Sequence, residues 1–256
     1  MILAVDIGNT NIVIGCFEND RILFIERLTT NQFATVLEYS VSFKNVLEFN
    51  EIKADEIEGS IISSVVPSVT DTVNEAVKKT IGTKSIIVGP GIKTGLSIMI
   101  DNPAQLGSDL VVGAVAGLAN YSLPLAIIDM GTATTVAVVD SKKHYIGGII
   151  MPGVRVSLDS LTVKTAQLPK ISLEAPSRVI GTNTIDCMKS GIIYGSAANI
   201  DGVLDRIENE LGEKITCVAT GGLAELIIPH CKRKIILDQE LLLKGLMIIY
   251  NKNNPV

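Results

Sequence analysis

Asp6-Ile7-Gly8-Asn9-Thr10-Asn11 and Asp129-Met130-Gly131-Thr132-Ala133-Thr134-Thr135 decide the reading of this chain. The first follows the apolar run 1–5 and the second the apolar run 125–128, with the two aspartates 123 residues apart in a chain of 256. Each stretch reads as a buried strand with an aspartate at its end, then a glycine turn with small hydroxyl or amide side chains, then a second apolar strand. The repetition predicts a duplicated α/β fold, with one phosphate-gripping hairpin in each half and a nucleotide between the halves.

The pattern around the two hairpins agrees. Residues 1–5, 11–17 and 21–28 read as three antiparallel strands, with Asn19-Asp20 as a turn. Residues 33–51 have helical spacing, 58–66 are β-branched and strand-like, 68–81 read as a helix capped by Ser68 or Thr70, and 85–88 as a further strand. Residues 103–120 read as a helix crossing between the halves. The opening then recurs as strands 125–129, 134–140 and 144–151, with Ser141-Lys142-Lys143 as a turn. Helices follow at 154–168, 184–210 and 239–250, and a strand at 215–220 closes on Gly221-Gly222. Strands interleaved with helices twice over define the α/β class.

The composition is 47% hydrophobic and 19% charged, with a mean hydropathy of +0.40, as expected for compact folded domains. No uninterrupted apolar run approaches a membrane span, and no basic segment precedes an apolar one at the start, so a cytoplasmic protein is expected. A net charge of −5 argues against nucleic acid as a partner, because duplex binding rests on clustered Lys and Arg. Lys232-Arg233-Lys234 is one candidate for a basic patch, and it reads as a solvated turn before a strand. Cys16, Cys187, Cys217 and Cys231 have no CxxC spacing and are expected to be reduced and buried. With only His144 and His230 available, zinc is not expected.

The chemistry of the hairpins follows from their residues. Glycine lets a backbone turn close on phosphate oxygens, and the amides of a tight turn make an anion-binding concavity. Asn9, Thr10 and Asn11 add side-chain donors on one side; Thr132, Thr134 and Thr135 add hydroxyls on the other. Asp6 suits Mg²⁺ held through water, since that ion sheds its hydration reluctantly, and Asp129 suits either a cation or the orienting of a phosphate-bound group. Thr220-Gly221-Gly222, between a strand and a helix, lets a flat ligand or ribose pack on the backbone. Asp109, after Gly107-Ser108, reads either as a helix cap or as a general base for phosphoryl transfer.

Taken together these motifs resemble the actin, sugar-kinase and heat-shock-chaperone ATPase superfamily and, more narrowly, the type III pantothenate kinases. The resemblance also draws on Ile62-Ser63-Ser64-Val65-Val66-Pro67, Gly89-Pro90-Gly91-Ile92-Lys93-Thr94-Gly95, Asn102-Pro103, Gly147-Gly148, Pro152-Gly153 and Gly181-Thr182-Asn183-Thr184, which run in the family's order over nearly the whole chain. It implies two duplicated ribonuclease-H-like domains, 1–116 and 117–256, with an ATP cleft between them, in a homodimer that phosphorylates pantothenate on the route to coenzyme A. It also implies roles for particular residues. Asp6, Ile7, Gly8, Asn9, Thr10, Asn11, Ile12 and Val13 would bind ATP and magnesium, with Thr132, Gly221 and Gly222 also at the nucleotide. Asp129 would hold potassium or ammonium. Gly107, Ser108, Asp109, Leu110 and Thr184 would hold pantothenate, and Asp109 would take the proton of its primary hydroxyl.

One position departs from the family pattern. Leu110 stands where the family usually has an arginine facing the substrate's carboxylate, and a carboxylate in a partly closed site wants a charge-assisted partner. Arg155, Lys164 and Arg178 are the alternative cations. The departure leaves two other readings open: a nucleotide-binding regulator without activity, and a kinase of a related small alcohol.

Overall fold

The computed structural model describes residues 1–19 and 21–254, so Asp20 of the expected first turn lies outside the described residues; Asn19 has the positive φ of 48° that suits a turn. Two compact units are formed. The first comprises Met1–Leu96, Asp101–Ala116 and the chain from Leu241 on; the second comprises Ser97–Ile100 and Gly117–Glu240. The expected boundary puts everything after residue 116 in the second half, whereas the last helix belongs with the first unit.

The first unit contains a five-stranded sheet. Its strands are β1 (Ile2–Ile7), β2 (Asn11–Glu18), β3 (Arg21–Thr29), β4 (Gly59–Ser64) and β5 (Ser85–Ile87), in the order β3-β2-β1-β4-β5. The first three form an antiparallel meander, and β4 and β5 add in parallel. Alternation along β1 sends Leu3, Val5 and Ile7 to one face, into a core with Tyr39, Phe43 and Leu47 of α1 (Val36–Phe49) and Val69, Val73 and Val77 of α2 (Pro67–Ile81). Thr35 and Glu38 cap α1 reciprocally, which starts the helix later than its hydrophobic spacing indicates. Neither Ser68 nor Thr70 caps α2. Pro67 occupies its first turn and no side chain caps it, as suits a residue without an N–H to satisfy.

The second unit repeats this order with one strand added. In chain order, β6 (Ser97–Ile98) and α3 (Ser108–Asn120, most of it in the first unit) precede β7 (Leu125–Met130), β8 (Ala133–Val139), β9 (His144–Pro152), α4 (Val154–Lys164), α5 (Thr184–Leu211), β10 (Thr216–Thr220), α6 (Ala224–Ile227) and β11 (Ile236–Leu237), and α7 (Leu241–Asn253) returns to the first unit. The sheet runs β11-β10-β7-β8-β9-β6, again two antiparallel pairings on one side of the central strand and parallel ones on the other. The duplication extends to irregularities. A β-bulge falls at Cys16/Phe17 in one meander and at Val138/Val139 in the other, each three residues past the cross-strand partner of the aspartate, Val13 and Thr135. This is the duplicated ribonuclease-H-like architecture. The expected helix 103–120 is instead a short 3₁₀ turn at Pro103–Gln105 followed by α3.

The face of the first sheet carrying Ile2, Ala4 and Asp6 is covered by α7. A Cβ on Gly15 would meet Leu243 at 2.8 Å, and one on Gly59 would meet the Tyr250 hydroxyl at 2.2 Å. That close packing assigns the last helix to the first unit. Within α7, Gly245 lies against the Val112 carbonyl of α3, where a Cβ would come to 2.2 Å.

The basic triplet is absorbed into the second unit. The amides of Lys232 and Arg233 donate to Asp201 at 2.8 and 3.2 Å. The Arg233 guanidinium bonds Asp205 at 3.0 Å and also pairs with Glu208. Lys214, the Ile215 amide and Arg233 hold the Glu208 carboxyl down to about 2, against burial, which pushes it up. Its stabilising contribution is therefore present above the ordinary carboxylate range and is lost as pH falls from about 4.5 toward about 2. Glu208→Gln is expected to cost roughly 1–3 kcal/mol at neutral pH and to flatten the loss of stability in that acid window. Denaturant melts at pH 7, 4 and 3 check this; parallel acid limbs for the two proteins would refute it. Cys16 and Cys217 are buried, with thiols pushed up to about 11 by desolvation, but Cys187 is exposed, contrary to expectation. It sits in the first turns of α5 beside Gly181, whose carbonyl accepts from its thiol at 3.3 Å.

Candidate active site

In the first unit, three elements deliver functional side chains to one place. β1 carries Asp6 as its last residue but one, 8% exposed. Its parallel neighbour β4 presents Ser63 directly opposite Asp6 on the same face of the sheet. The start of α3 is tied to β4: the Ser108 hydroxyl donates to the Ser64 carbonyl at 2.8 Å and accepts from the Ser64 amide and the Ser63 hydroxyl, each at 3.0 Å. The next residue is Asp109. It does not cap the helix; it stands inside the first turn, and its Oδ1 accepts from the Leu110 amide at 2.8 Å. A Cβ at Gly107 would come within 2.5 Å of that oxygen. Burial raises the carboxyl above the ordinary aspartate range, and the Leu110 amide opposes the rise. A half-buried carboxyl with raised proton affinity suits a general base.

The first hairpin turns through Gly8–Asn11. The Gly8 amide donates to the Asn11 carbonyl at 2.9 Å. Thr30, just past β3, braces the loop: its hydroxyl donates to the Gly8 carbonyl at 2.6 Å and its amide to the Thr10 carbonyl at 3.0 Å. Asn9, Thr10 and Asn11 are exposed. Ile7 and Ile12 are fully buried core side chains, so any contact they make with a nucleotide is through the backbone. Gly8 has no positive φ among the described glycines, so close approach rather than left-handed geometry explains it.

The second unit builds its hairpin differently. Met130 pairs with Thr134, leaving Gly131, Thr132 and Ala133 as the loop, one residue shorter than the first. Thr132 is exposed, but Thr134 is buried at 4% exposure and faces inward, so it is not one of the phosphate-facing hydroxyls it was expected to be. Two glycines grip this loop. A Cβ on Gly153 would sit 2.1 Å from the Thr132 carbonyl oxygen, and one on Gly221 would sit 2.5 Å from Asp129 Oδ1. Gly221 also has a φ of +94°, open to glycine at no cost. Thr220 lies opposite Asp129 in the parallel register, so Thr220-Gly221 occupies in this unit the place that Ser63-Ser64 holds in the other. The helix after Gly221-Gly222 is only the short α6. Thr184 is exposed at the start of α5, next to the capping Asn183.

Arg155, Lys164 and Arg178 are all exposed and form no ion pair among the described residues. No three His, Cys, Asp or Glu side chains cluster among the described residues in a way that could cage a metal. A lone strand-end carboxylate instead fits a cation completed by phosphate oxygens and water, the coordination Mg²⁺ favours. Among the described residues no helix is long and apolar enough to cross a membrane. The residues the sequence reading gave no role are Ser63 and Ser64, although their motif was visible, and Thr30 and Gly153 as supports of the loops; Thr30 carried no signal at all.

Comparison with known proteins identifies the family. A family model described as type III pantothenate kinase matches residues 2–206. The type III pantothenate kinase of Exiguobacterium sp. (strain AT1b) is 44% identical over 253 residues, covering 99% of each chain. That of Bacillus cytotoxicus is 41% identical over 253 residues, covering 99% of this chain and 97% of the relative. Among solved structures, a Campylobacter jejuni protein described as a Baf family transcriptional activator shares the fold, with a TM-score of 0.60 at 19% identity over 98% of each chain. With a strand-end aspartate on each of two duplicated hairpins, a half-buried carboxyl near the aspartate of the first unit and full-length relatives of one kind, the chain belongs to the type III pantothenate kinase family.

Proposed function

We propose that this protein transfers the γ-phosphoryl group of ATP to the primary hydroxyl of pantothenate, the first step toward coenzyme A. The observation that carries the reading is Asp109: a carboxyl with raised proton affinity, fixed at the start of a helix pinned to the strand beside Asp6. Phosphoryl transfer asks mainly for positioning and charge neutralisation. Asp109 accepts the hydroxyl proton as the oxygen attacks phosphorus. The amides and side chains of Gly8–Asn11 and of Gly131–Ala133 bind phosphate oxygens, with Thr132 on the nucleotide and Gly221-Gly222 against its ribose. Asp6 would hold Mg²⁺, through water, and Asp129 would hold potassium or ammonium. When bound, the divalent ion neutralises charge developing on the phosphates. Gly107, the backbone of Ser108, Leu110 and Thr184 line the pantothenate subsite.

The protein acts in the cytoplasm as a homodimer. Exposed Val156 and Val163 of α4, Val179 and Ile180 of the segment before α5, and Ile185 of α5 supply apolar surface suited to a second copy. Nucleic acid is no partner: Arg233, the centre of the basic triplet, is already paired with Asp205 and Glu208.

The direct test is ADP release dependent on pantothenate, with Mg²⁺ and K⁺ present. Folded protein without pantothenate-dependent turnover would defeat the reading. Leu110 offers the substrate carboxylate no partner. Leu110→Arg is therefore expected to lower KM for pantothenate roughly tenfold, about 1.4 kcal/mol, while leaving KM for the neutral alcohol analogue pantothenol nearly unchanged. An equal change for both substrates would place the carboxylate elsewhere.

A further inference from the structure

We propose that Ser63 and Ser108 are positioning residues, whose paired hydroxyls lock the start of α3 to the strand end beside Asp6 and so set where Asp109 stands. The inference rests on the reading of Asp109 as the base. A serine hydroxyl has one proton to donate and two lone pairs to accept with. In Ser108 all three are engaged inside the protein: the proton on the Ser64 carbonyl, the lone pairs on the Ser64 amide and the Ser63 hydroxyl. No capacity remains for a substrate oxygen. Ser108 was expected, with its neighbours, to bind pantothenate; its side chain is a pin instead.

Ser63 has no route to a ligand, being wholly buried. It stands opposite Asp6 in the β1–β4 register, on the same face of the sheet, and gives its proton to Ser108. The network continues. The Ser64 hydroxyl accepts from the Thr70 hydroxyl of α2 at 2.7 Å and from the Val66 amide at 3.1 Å. Strand β4 and helices α2 and α3 are thus joined through three serines and a threonine. Gly107 leaves room for Asp109 Oδ1 where a side chain would not, since a Cβ there would come within 2.5 Å of it, and a misplacement of about 1 Å in a reacting group can cost on the order of 10²-fold in rate.

The test uses Ser63→Ala and Ser108→Ala in the full-length protein, with kcat and KM measured for pantothenate. Both variants are expected to lower kcat about tenfold or more with KM nearly unchanged, and Ser108→Thr, which keeps a hydroxyl, recovers most of the rate. A raised KM at constant kcat in Ser108→Ala, with Ser63→Ala silent, overturns the proposal and makes Ser108 a substrate ligand. A second arm needs no turnover. Amide hydrogen exchange across residues 108–111 is expected to quicken in both alanine variants while α7 stays protected, and unchanged exchange there also overturns the pin. Absence of pantothenate turnover in the wild-type protein would sink the substrate assignment instead, and the exchange arm would still decide the role of the serines.

Discussion

Asp109→Asn is expected to lower kcat about 10²–10⁴-fold, the usual contribution of a general base, without loss of stability. The two effects have one cause. Burial disfavours the charged form of Asp109 and raises its carboxyl above the ordinary range. A carboxyl whose folded value is raised contributes stability only at low pH, and that contribution is lost as pH rises through the folded value. At neutral pH the charged side chain is therefore a burden on the fold, accepted for its proton affinity. Asparagine removes the charge and keeps an oxygen able to accept from the Leu110 amide, which Asp109 holds at 2.8 Å. The variant should melt at the wild-type temperature or above it and still bind ATP. The same shift predicts that the acid limb of kcat/KM in the wild-type protein lies above the range of an ordinary aspartate. A variant with wild-type kcat would remove Asp109 as the base, and a variant that unfolds would remove the claim that its charge opposes folding.

The fold was legible because its signals are local and repeated. Apolar runs ending in aspartate mark β1 and β7, and the turn residues that follow place β2 and β8 within a residue or two of their observed starts. What could not be read depended on distant partners. β6 and β11 are two residues each and exist only through pairing with β9 and β10. The placement of α7 in the first unit depends on Gly15 and Gly59 admitting Leu243 and Tyr250, a fit between positions far apart in sequence. At the site, Asp6, Asp109 and Asp129 announced themselves by type and spacing. Ser63 did not, because a serine in a β-branched run looks like a tolerated polar residue until its partner on α3 is known. Thr134 misled for the opposite reason: the alternation of a short strand turned its hydroxyl inward.

Gly221→Ala is expected to be among the most damaging single-methyl changes to stability in the second unit, and its neighbour Gly222→Ala close to silent in stability. Gly221 has a φ of +94°, and an added Cβ would meet Asp129 Oδ1 at 2.5 Å, the Met130 amide nitrogen at 2.6 Å and the Met130 carbonyl carbon at 2.7 Å. Two of those three are backbone atoms of β7, so the strand end must move. Holding alanine in that backbone region costs about 1–3 kcal/mol, and overpacking costs about 1–3 kcal/mol more. For a chain of this size each kcal/mol lowers Tm by roughly 2–4 °C, so a fall on the order of 10 °C is expected. Around Gly222 there is open space and no positive φ, and a change of that kind stays within about 0.5 kcal/mol. The functional consequence follows from which atoms move. Asp129 and Met130 lead directly into the Gly131–Ala133 loop, so Gly221→Ala should weaken ATP binding and the response to monovalent cations even at temperatures where the variant is fully folded. Thermal melts of both alanine variants, with ATP titrations at 15 °C, separate the two glycines. Equal melting temperatures would mean that β7 yields to the methyl group without strain, and that the second hairpin is held by something other than the approach of Gly221 to its aspartate.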